Sequence, residues 1–243
     1  MNFGNTNFQF YSHSQICKAE QTLCLSKKRG STTAYKALLL PINVHKRWCY
    51  WNLPFPGGIA NIRRTDMIDL DEFGVFVQTA NRKDGKAFIG IRVNEPGPYE
   101  KGEKRTTIMA ISGDPAGERW RDTWVEGGTT NDRMVGFIRT ILNSIGPGTP
   151  ARRRCFTMDN LNSHHNALVT QLIYNAGHKL AFRAPYYAVD GPIEYVFNTL
   201  QNYLRINLPR ITDNESLLHE LDNAIASIYN FERYFIHCGF WRI

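Results

Sequence analysis

Apolar residues recur along the middle of the chain with two different periods. Short apolar segments between Gly, Pro and Lys turns predict three successive strands of a meander, at residues 66–78, 86–94 and 105–113. Residues 131–148 then change to helical spacing and stop at a Gly-Pro pair. The pattern therefore predicts one helix after the third strand.

The next part of the chain alternates strands with helices. Residues 154–159 and 178–185 predict two further strands. The helix between them is predicted to begin with Ser163 as its N-cap and to end at Gly177, a residue type favoured for left-handed closure. Pro192 is well placed as the first residue of the following helix.

A final helix is predicted after the Thr-x-x-Glu capping box of residues 212–215. The full order is three strands, helix, strand, helix, strand, helix and helix. Strands that form a meander first and alternate with helices later predict an α/β fold, with a mixed sheet covered by helices. We expect residues 61–243 to form this domain and residues 1–60, which show no clean helical period, to form an N-terminal arm.

Composition places the chain among ordinary globular proteins. Its 243 residues are 42% hydrophobic and 21% charged, which is enough for one sizeable core. No apolar stretch approaches the roughly 20 residues of a membrane helix, and the N-terminus lacks the plan of a secretory signal. We therefore expect no membrane association, no secretion and a nuclear or cytoplasmic location. The five cysteines form no Cys-x-x-Cys pair, which argues against structural zinc.

Positive charge is concentrated in short clusters. The net charge is +7, and one cluster, Arg152-Arg153-Arg154, lies just before the predicted fourth strand. Each Lys or Arg that neutralises a phosphate releases counterions, so such clusters suit a polyphosphate partner such as nucleic acid. A solvated basic surface is the other interpretation of the same charges.

Three acidic residues stand on predicted elements or at their ends. Asp71 lies on the first strand, Asp159 ends the fourth, and Glu194 opens a helix. An isolated acid at such a position usually caps a turn or a helix. Three carboxylates brought into one small volume repel one another, however, unless a cation compensates them. Mg²⁺ suits oxygen ligands, and Asp69, on the same strand face as Asp71, is the main rival for the first ligand.

Three segments of the chain carry these acids: LDEFGV at residues 70–75, FTMDNLNSHHN at 156–166 and APYYAVDGPIEYVFNTLQNYLR at 184–205. They resemble the three catalytic motifs of the Tc/mariner superfamily of DDE transposases. Between Asp159 and Glu194 lie 34 residues, the interval typical of the branch of this family whose third acid is Glu. The resemblance extends over about residues 66–240.

This resemblance implies a ribonuclease-H-like fold, with a mixed five-stranded sheet flanked by helices. It implies a DDE transposase and endonuclease activity that cleaves DNA and transfers strands in cut-and-paste transposition. Asp71, Asp159 and Glu194 would be the catalytic and metal-binding triad, with two Mg²⁺ or Mn²⁺ ions roughly 3.5–4 Å apart and no organic cofactor. The implied partners are DNA, as transposon ends and target, and a second copy of the chain on that DNA.

Further residues match positions near such a site. Glu72 follows the first acid, and Asn160 and His164 match positions of the second motif that orient ligands or a phosphate. His165 and His164 point about 100° apart on a helix, so the pair does not predict zinc. The basic residues expected to contact the DNA backbone are Arg152, Arg153, Arg154 and Arg205.

The chain departs from the family pattern in two places. Where the family usually has Ser-Pro-Asp-Leu-Asn, residues 187–191 read Tyr-Ala-Val-Asp-Gly. Family members also carry a bipartite helix-turn-helix region before the catalytic core, whereas about sixty residues precede it here. We expect these residues to be an arm or a truncated remnant of that region or its linker. Two other functions therefore stay open. One is a domesticated remnant that binds nucleic acid without catalysis, and the other is a different ribonuclease-H-like nuclease, such as a resolvase or a hydrolase of RNA:DNA hybrids.

Overall fold

The computed structural model describes residues 35–80, 102–125, 127–160 and 164–240. The helices in these ranges are α1 (Tyr35–Leu38), α2 (Pro41–Asn52), α3 (Asn131–Ile145), α4 (Ala167–Asn175), α5 (Pro192–Ile206), α6 (Asn214–Ala226) and α7 (Glu232–His237). The strands are β1 (Met67–Val75), β2 (Arg105–Ser112), β3 (Arg119–Val125), β4 (Cys155–Met158) and β5 (Lys179–Phe182). Among the helices of these ranges, none has the length and apolar character needed to cross a membrane.

The five strands form one mixed sheet in the order β3-β2-β1-β4-β5. β1 pairs antiparallel with β2 and parallel with β4, so the predicted mixed five-stranded sheet is confirmed. The predicted strand at residues 86–94 lies outside the described residues. The edge strand β3 is one that the sequence pattern does not predict, because its sequence RWRDTWV is largely exposed and lacks an apolar run.

The central strand β1 separates the first-motif acids onto two faces of the sheet. Side chains alternate along a strand, so Asp69 and Asp71 share one face and Glu72 lies on the other. The face of Asp69 and Asp71 packs against the apolar sides of α5, α6 and α7. The opposite face packs against α3 and α4. Burial of both faces makes β1 an almost continuous buried segment, as expected for a strand that has a parallel neighbour.

The helix α2 is a second element that the sequence pattern does not predict. Its residues Ile42, Val44 and Trp48 are exposed, so its apolar positions do not follow one face. Tyr50, in contrast, is 4% exposed and belongs to the core cluster of the α5 face. The proposed division of the chain into residues 1–60 and 61–243 stays a prediction.

Two helix starts differ from the predicted ones. The N-cap of α4 is Asn166, whose side chain accepts a hydrogen bond from the Leu168 amide, and the predicted cap, Ser163, lies outside the described residues. The capping box of α6 is formed by Asp213 and Ser216, one residue later than predicted, because the serine hydroxyl serves the role expected of a glutamate. The predicted end of α4 is confirmed, since Gly177 has a φ of +82°.

Candidate active site

Asp69 is a fully buried carboxylate whose oxygens are all occupied by protein donors. Its Oδ1 accepts hydrogen bonds from the Thr157 hydroxyl at 2.6 Å and from the Arg183 guanidinium, and its Oδ2 accepts one from the Ile193 amide at 3.0 Å. Burial raises the pKa of Asp69, and the charge of Arg183 opposes that rise. Asp69 therefore links β1 to β4, to the end of β5 and to the start of α5.

Asp71 lies one step further along the same face of β1 and is 8% exposed. Its Oδ1 accepts a hydrogen bond from the Glu72 amide at 2.8 Å, and its Oδ2 accepts one from Arg183 Nη2 at 3.0 Å. Burial raises the pKa of Asp71 to about 7; Arg183 lowers it, and Asp159 and Glu194 raise it. The three acids of the predicted triad therefore lie near enough to disfavour one another's charge.

His164 lies between two carboxylates. Its Nε2 is 3.0 Å from Glu72 Oε2, and its Nδ1 contacts Asp159 Oδ1. Burial lowers the pKa of His164, but the hydrogen bonds and charges of Asp159 and Glu72 outweigh burial and raise it to about 10. The imidazole is therefore a cation at neutral pH, which compensates two of the acids at this end of the sheet.

The third acid, Glu194, is half-buried in the first turn of α5. Pro192 begins that helix, where its missing N–H costs nothing. Burial raises the pKa of Glu194; Arg183 lowers it, and Asp69 and Asp159 raise it. A half-buried carboxylate with two acidic neighbours is a group that a divalent cation would stabilise.

The ligand atoms of Asp71, Glu72 and His164 lie within 4.8 Å of one another. This proximity suits a metal site, but both ring nitrogens of His164 already contact carboxylates, those of Glu72 and Asp159. A metal on either nitrogen would have to replace that contact. The donor set that remains is rich in carboxylate oxygen, which fits Mg²⁺ or Mn²⁺ better than zinc.

Arg183 is the site residue that sequence reasoning misses. It follows β5 directly and is 2% exposed, with its guanidinium between Asp69 and Asp71. A Cβ atom added to Gly191 would lie 2.9 Å from Arg183 Cζ, so the glycine leaves the room that the guanidinium occupies. An arginine after an apolar strand normally indicates a solvated turn, and no spacing rule connects residue 183 to residues 69 and 71.

The match to known families decides what kind of domain carries this site. Residues 66–217 match the family described as DDE superfamily endonuclease, which is more than half of the chain. The chain belongs to the DDE superfamily of endonucleases. No curated protein matches it.

The solved structures similar to this DDE endonuclease domain include complexes of the Mos1 transposase. A pre-cleavage Mos1 transpososome has a TM-score of 0.64 and 17% identity, and the alignment covers 93% of this chain and 67% of that one. The Mos1 mariner paired-end complex with Mn has a TM-score of 0.64, 17% identity and the same coverage. The Mos1 catalytic domain with Raltegravir and Mg has a TM-score of 0.57, 15% identity and coverage of 82% and 90%.

The structural matches confirm the ribonuclease-H-like fold that the resemblance implies, and the family match confirms its DDE endonuclease part. The chain spans about two thirds of the length of the full Mos1 chains.

One of the predicted DNA contacts in this DDE domain is wrong. Arg154 is 1% exposed, and its guanidinium donates to the Thr65 carbonyl at 2.6 Å, to the Ser112 hydroxyl at 3.3 Å and to Glu118. A side chain with these internal acceptors is not available to phosphate. The sequence pattern misplaces it because three consecutive arginines suggest a solvated cluster, whereas strand β4 begins at the next residue.

The other predicted support residues have varied positions. Arg152 and Arg153 are exposed, and Arg205 contacts Gln201 and Asn202 on α5. The side chain of Asn160 contacts His165 Nε2 at 2.6 Å, and the His165 ring stacks on Phe182 with centroids 4.0 Å apart. The two adjacent histidines therefore serve different partners.

Proposed function

We propose that this DDE domain is a metal-dependent DNA endonuclease and strand transferase of cut-and-paste transposition, with Asp71, Asp159 and Glu194 as its metal ligands. The observation that carries the proposal is a set of contacts that brings three distant acidic parts of the chain together in a domain of this family. Asp69, two residues before Asp71, accepts from the amide of Ile193 beside Glu194, and His164 joins Glu72 to Asp159. Two Mg²⁺ or Mn²⁺ ions would supply charge stabilisation at phosphorus.

The protein's own residues prepare the site for this reaction. Asp69 joins β1, which carries Asp71, to the start of α5, which carries Glu194. His164 contacts the Asp159 carboxylate and thereby helps to orient it. In the proposed reaction, water attacks the phosphorus of a phosphodiester, the bond from phosphorus to the 3′-oxygen breaks, and a 5′-phosphate and a 3′-hydroxyl result. That hydroxyl then attacks a phosphodiester of target DNA, and the 3′-oxygen of the target strand leaves as a new 3′-hydroxyl. The protein contributes position and compensation of charge.

DNA is the proposed partner, and a homodimer is the proposed assembly on it. The net charge of +7 favours association with phosphate, and Arg152 and Arg153 are exposed cations that suit contacts with the backbone. Solved relatives of this fold are named as a transpososome and as paired-end complexes of Mos1. By analogy we propose that this chain also acts on paired DNA ends.

Nicking of supercoiled plasmid in Mg²⁺ or Mn²⁺ tests the proposal. We expect Glu194→Gln and Asp159→Asn to abolish nicking. Glu215→Gln and Asp132→Asn are matched controls, because each removes one charge from an exposed acid in the first turn of another helix. Nicking that survives both site variants contradicts the proposal, and a wild-type protein that binds DNA but shows no effect of divalent ions supports a non-catalytic remnant.

A further inference from the structure

We propose that Arg183 is a positioning residue for the divalent-metal site, that its guanidinium orients the Asp71 carboxylate, and that Gly191 provides the space for it. The inference rests on the proposed function, because it takes Asp71 as a metal ligand. It assigns a role to a buried cation that the catalytic triad does not require.

The contacts of Arg183 join a structural acid to a proposed ligand. Nη1 donates to Asp69 Oδ1, and Nη2 donates to Asp71 Oδ2 at 3.0 Å. Asp69 is itself held by the Thr157 hydroxyl and the Ile193 amide. The guanidinium is therefore held in place by Asp69 on one side, and on the other side it orients the Asp71 carboxylate.

The orientation of Asp71 is determined at both of its oxygens. Oδ2 accepts from Arg183, and Oδ1 accepts from the Glu72 amide at 2.8 Å. A carboxylate offers about four lone-pair sites, so two donors leave capacity for a cation. A ligand held in this way loses little conformational freedom when a metal binds, which is how outer contacts of a metal site raise its affinity.

Gly191 leaves the space that the Arg183 guanidinium occupies. A Cβ atom at this position would lie 2.9 Å from Arg183 Cζ and 3.1 Å from Nε. The backbone at Gly191 has a φ of −96°, which any residue adopts, so contact with Arg183 is the feature that requires glycine. Gly191 also belongs to residues 187–191, where the chain departs from the Tc/mariner pattern.

Lysine is the substitution that separates charge from geometry. Arg183→Lys keeps one positive charge, but a single ammonium cannot reproduce the planar fork that bonds two carboxylates at once. A residue that only neutralises buried acids would tolerate this change at the metal site. A residue that orients Asp71 would not.

The experiment is a titration of Mn²⁺ followed by electron paramagnetic resonance, on the full chain without DNA. We expect Arg183→Lys and Gly191→Ala each to weaken Mn²⁺ binding by about tenfold or more. Arg154→Lys is the matched control, because Arg154 is an equally buried arginine whose partners are Thr65, Ser112 and Glu118 and include none of the three acids. This control should keep the wild-type Mn²⁺ affinity.

The double variant Arg183→Lys/Gly191→Ala tests whether the two residues act together. We expect its loss of Mn²⁺ affinity to equal that of one single variant, since the alanine has no guanidinium left to displace. Additive losses, or wild-type affinity in Arg183→Lys, overturn the inference. If Arg183→Lys does not fold, the affinity of Gly191→Ala decides alone.

Failure of this inference and failure of the proposed function have different signatures. If Asp159→Asn removes Mn²⁺ binding while both Arg183→Lys and Gly191→Ala keep it, only the role of Arg183 is wrong. The proposed metal site itself is wrong if the wild-type protein binds no Mn²⁺, or if Asp159→Asn leaves its Mn²⁺ binding unchanged. The positioning role then fails with it.

Discussion

The carboxylate of Asp69 accepts a hydrogen bond of 3.0 Å from the backbone amide of Ile193, in the first turn of α5. The first N–H groups of a helix have no partner within the helix, and a negative charge is favourable there. Asp69 therefore joins the strand that carries Asp71 to the helix that carries Glu194. This contact explains why the first motif contains a buried acid two residues before the proposed ligand.

Asp69→Asn should destabilise the metal-free protein strongly. The substitution keeps the size of the side chain but removes the charge that faces the buried Arg183. Breaking a buried ion pair in this way costs about 3 kcal/mol or more. Chemical denaturation measures the loss, with Asp132→Asn, an exposed acid, as the control. A variant as stable as the wild type that has lost Mn²⁺ binding would indicate that Asp69 is a ligand instead.

Metal affinity should rise with pH across neutrality. Burial raises the pKa of Asp71 to about 7, so the carboxyl carries a proton below that pH, and a cation must displace it. We expect affinity for Mg²⁺ to increase up to about tenfold per pH unit below 7 and to level off above it. Calorimetry in two buffers of different ionisation enthalpy should detect proton release at pH 6. The absence of proton release at pH 6 would contradict the raised pKa.

The stability of the metal-free protein should fall as the pH rises above neutrality, because of His164. Burial lowers the pKa of His164, but its contacts with Asp159 and Glu72 raise it to about 10, above the unfolded value of roughly 6.5. A raised pKa contributes stability that is complete below the unfolded value and is lost as pH rises through the folded one. The slope for one proton is up to about 1.4 kcal/mol per pH unit.

Thermal unfolding between pH 7 and pH 10 measures this slope. His164→Gln should flatten it, whereas His219→Gln, at an exposed position on α6, should leave it unchanged. Equal slopes for the wild type and His164→Gln would mean that the imidazole is not held as a cation between the two acids.

The pair Arg47 and Asp190 should hold α2 against the loop before α5. Arg47 donates to Asp190 through Nε at 2.8 Å and Nη2 at 2.6 Å, and its Cζ lies 4.6 Å from the centre of the Tyr187 ring. The Asp190 side chain is 2% exposed, whereas that of Arg47 is 41% exposed, so solvent screens part of the pair. We expect Arg47→Ala to cost about 1–2 kcal/mol.

Lys46→Ala is the control for this pair, because Lys46 is the exposed neighbour on the same helix. Hydrogen exchange should show faster exchange in α2 for Arg47→Ala and not for Lys46→Ala. Unchanged exchange in both variants would mean that other contacts hold the helix.

The elements that the sequence predicts are those whose burial follows a simple period. β1, β4 and β5 are short apolar runs, and α3 and α5 carry one apolar side. Two elements lack such a period, because neither has one continuous buried side. They are the polar edge strand β3 and the helix α2, whose Ile42 and Trp48 are exposed. Their structure depends on partners that are distant in the chain.

The candidate site divides in the same way. Asp71, Asp159 and Glu194 can be predicted from the sequence because each stands on or at the end of a predicted element, within a recognisable motif. The role of Arg183 cannot be predicted from the sequence, since its partners lie 114 and 112 residues earlier in the chain. The space for its guanidinium also depends on Gly191. The tyrosine and aspartate of the unusual loop likewise depend on the two N-terminal helices. Tyr187 donates to the Leu38 carbonyl of α1 at 2.8 Å, and Asp190 accepts from Arg47 of α2.

Anomalous diffraction at the manganese edge, from crystals grown with Mn²⁺, is the most direct measurement of the central claim. The account predicts manganese bound by carboxylate oxygens of Asp71, Asp159 and Glu194, with Arg183 still on the Oδ2 side of Asp71. Manganese bound to Asp71, Glu72 and the imidazole of His164, without Asp159 and Glu194, would contradict it.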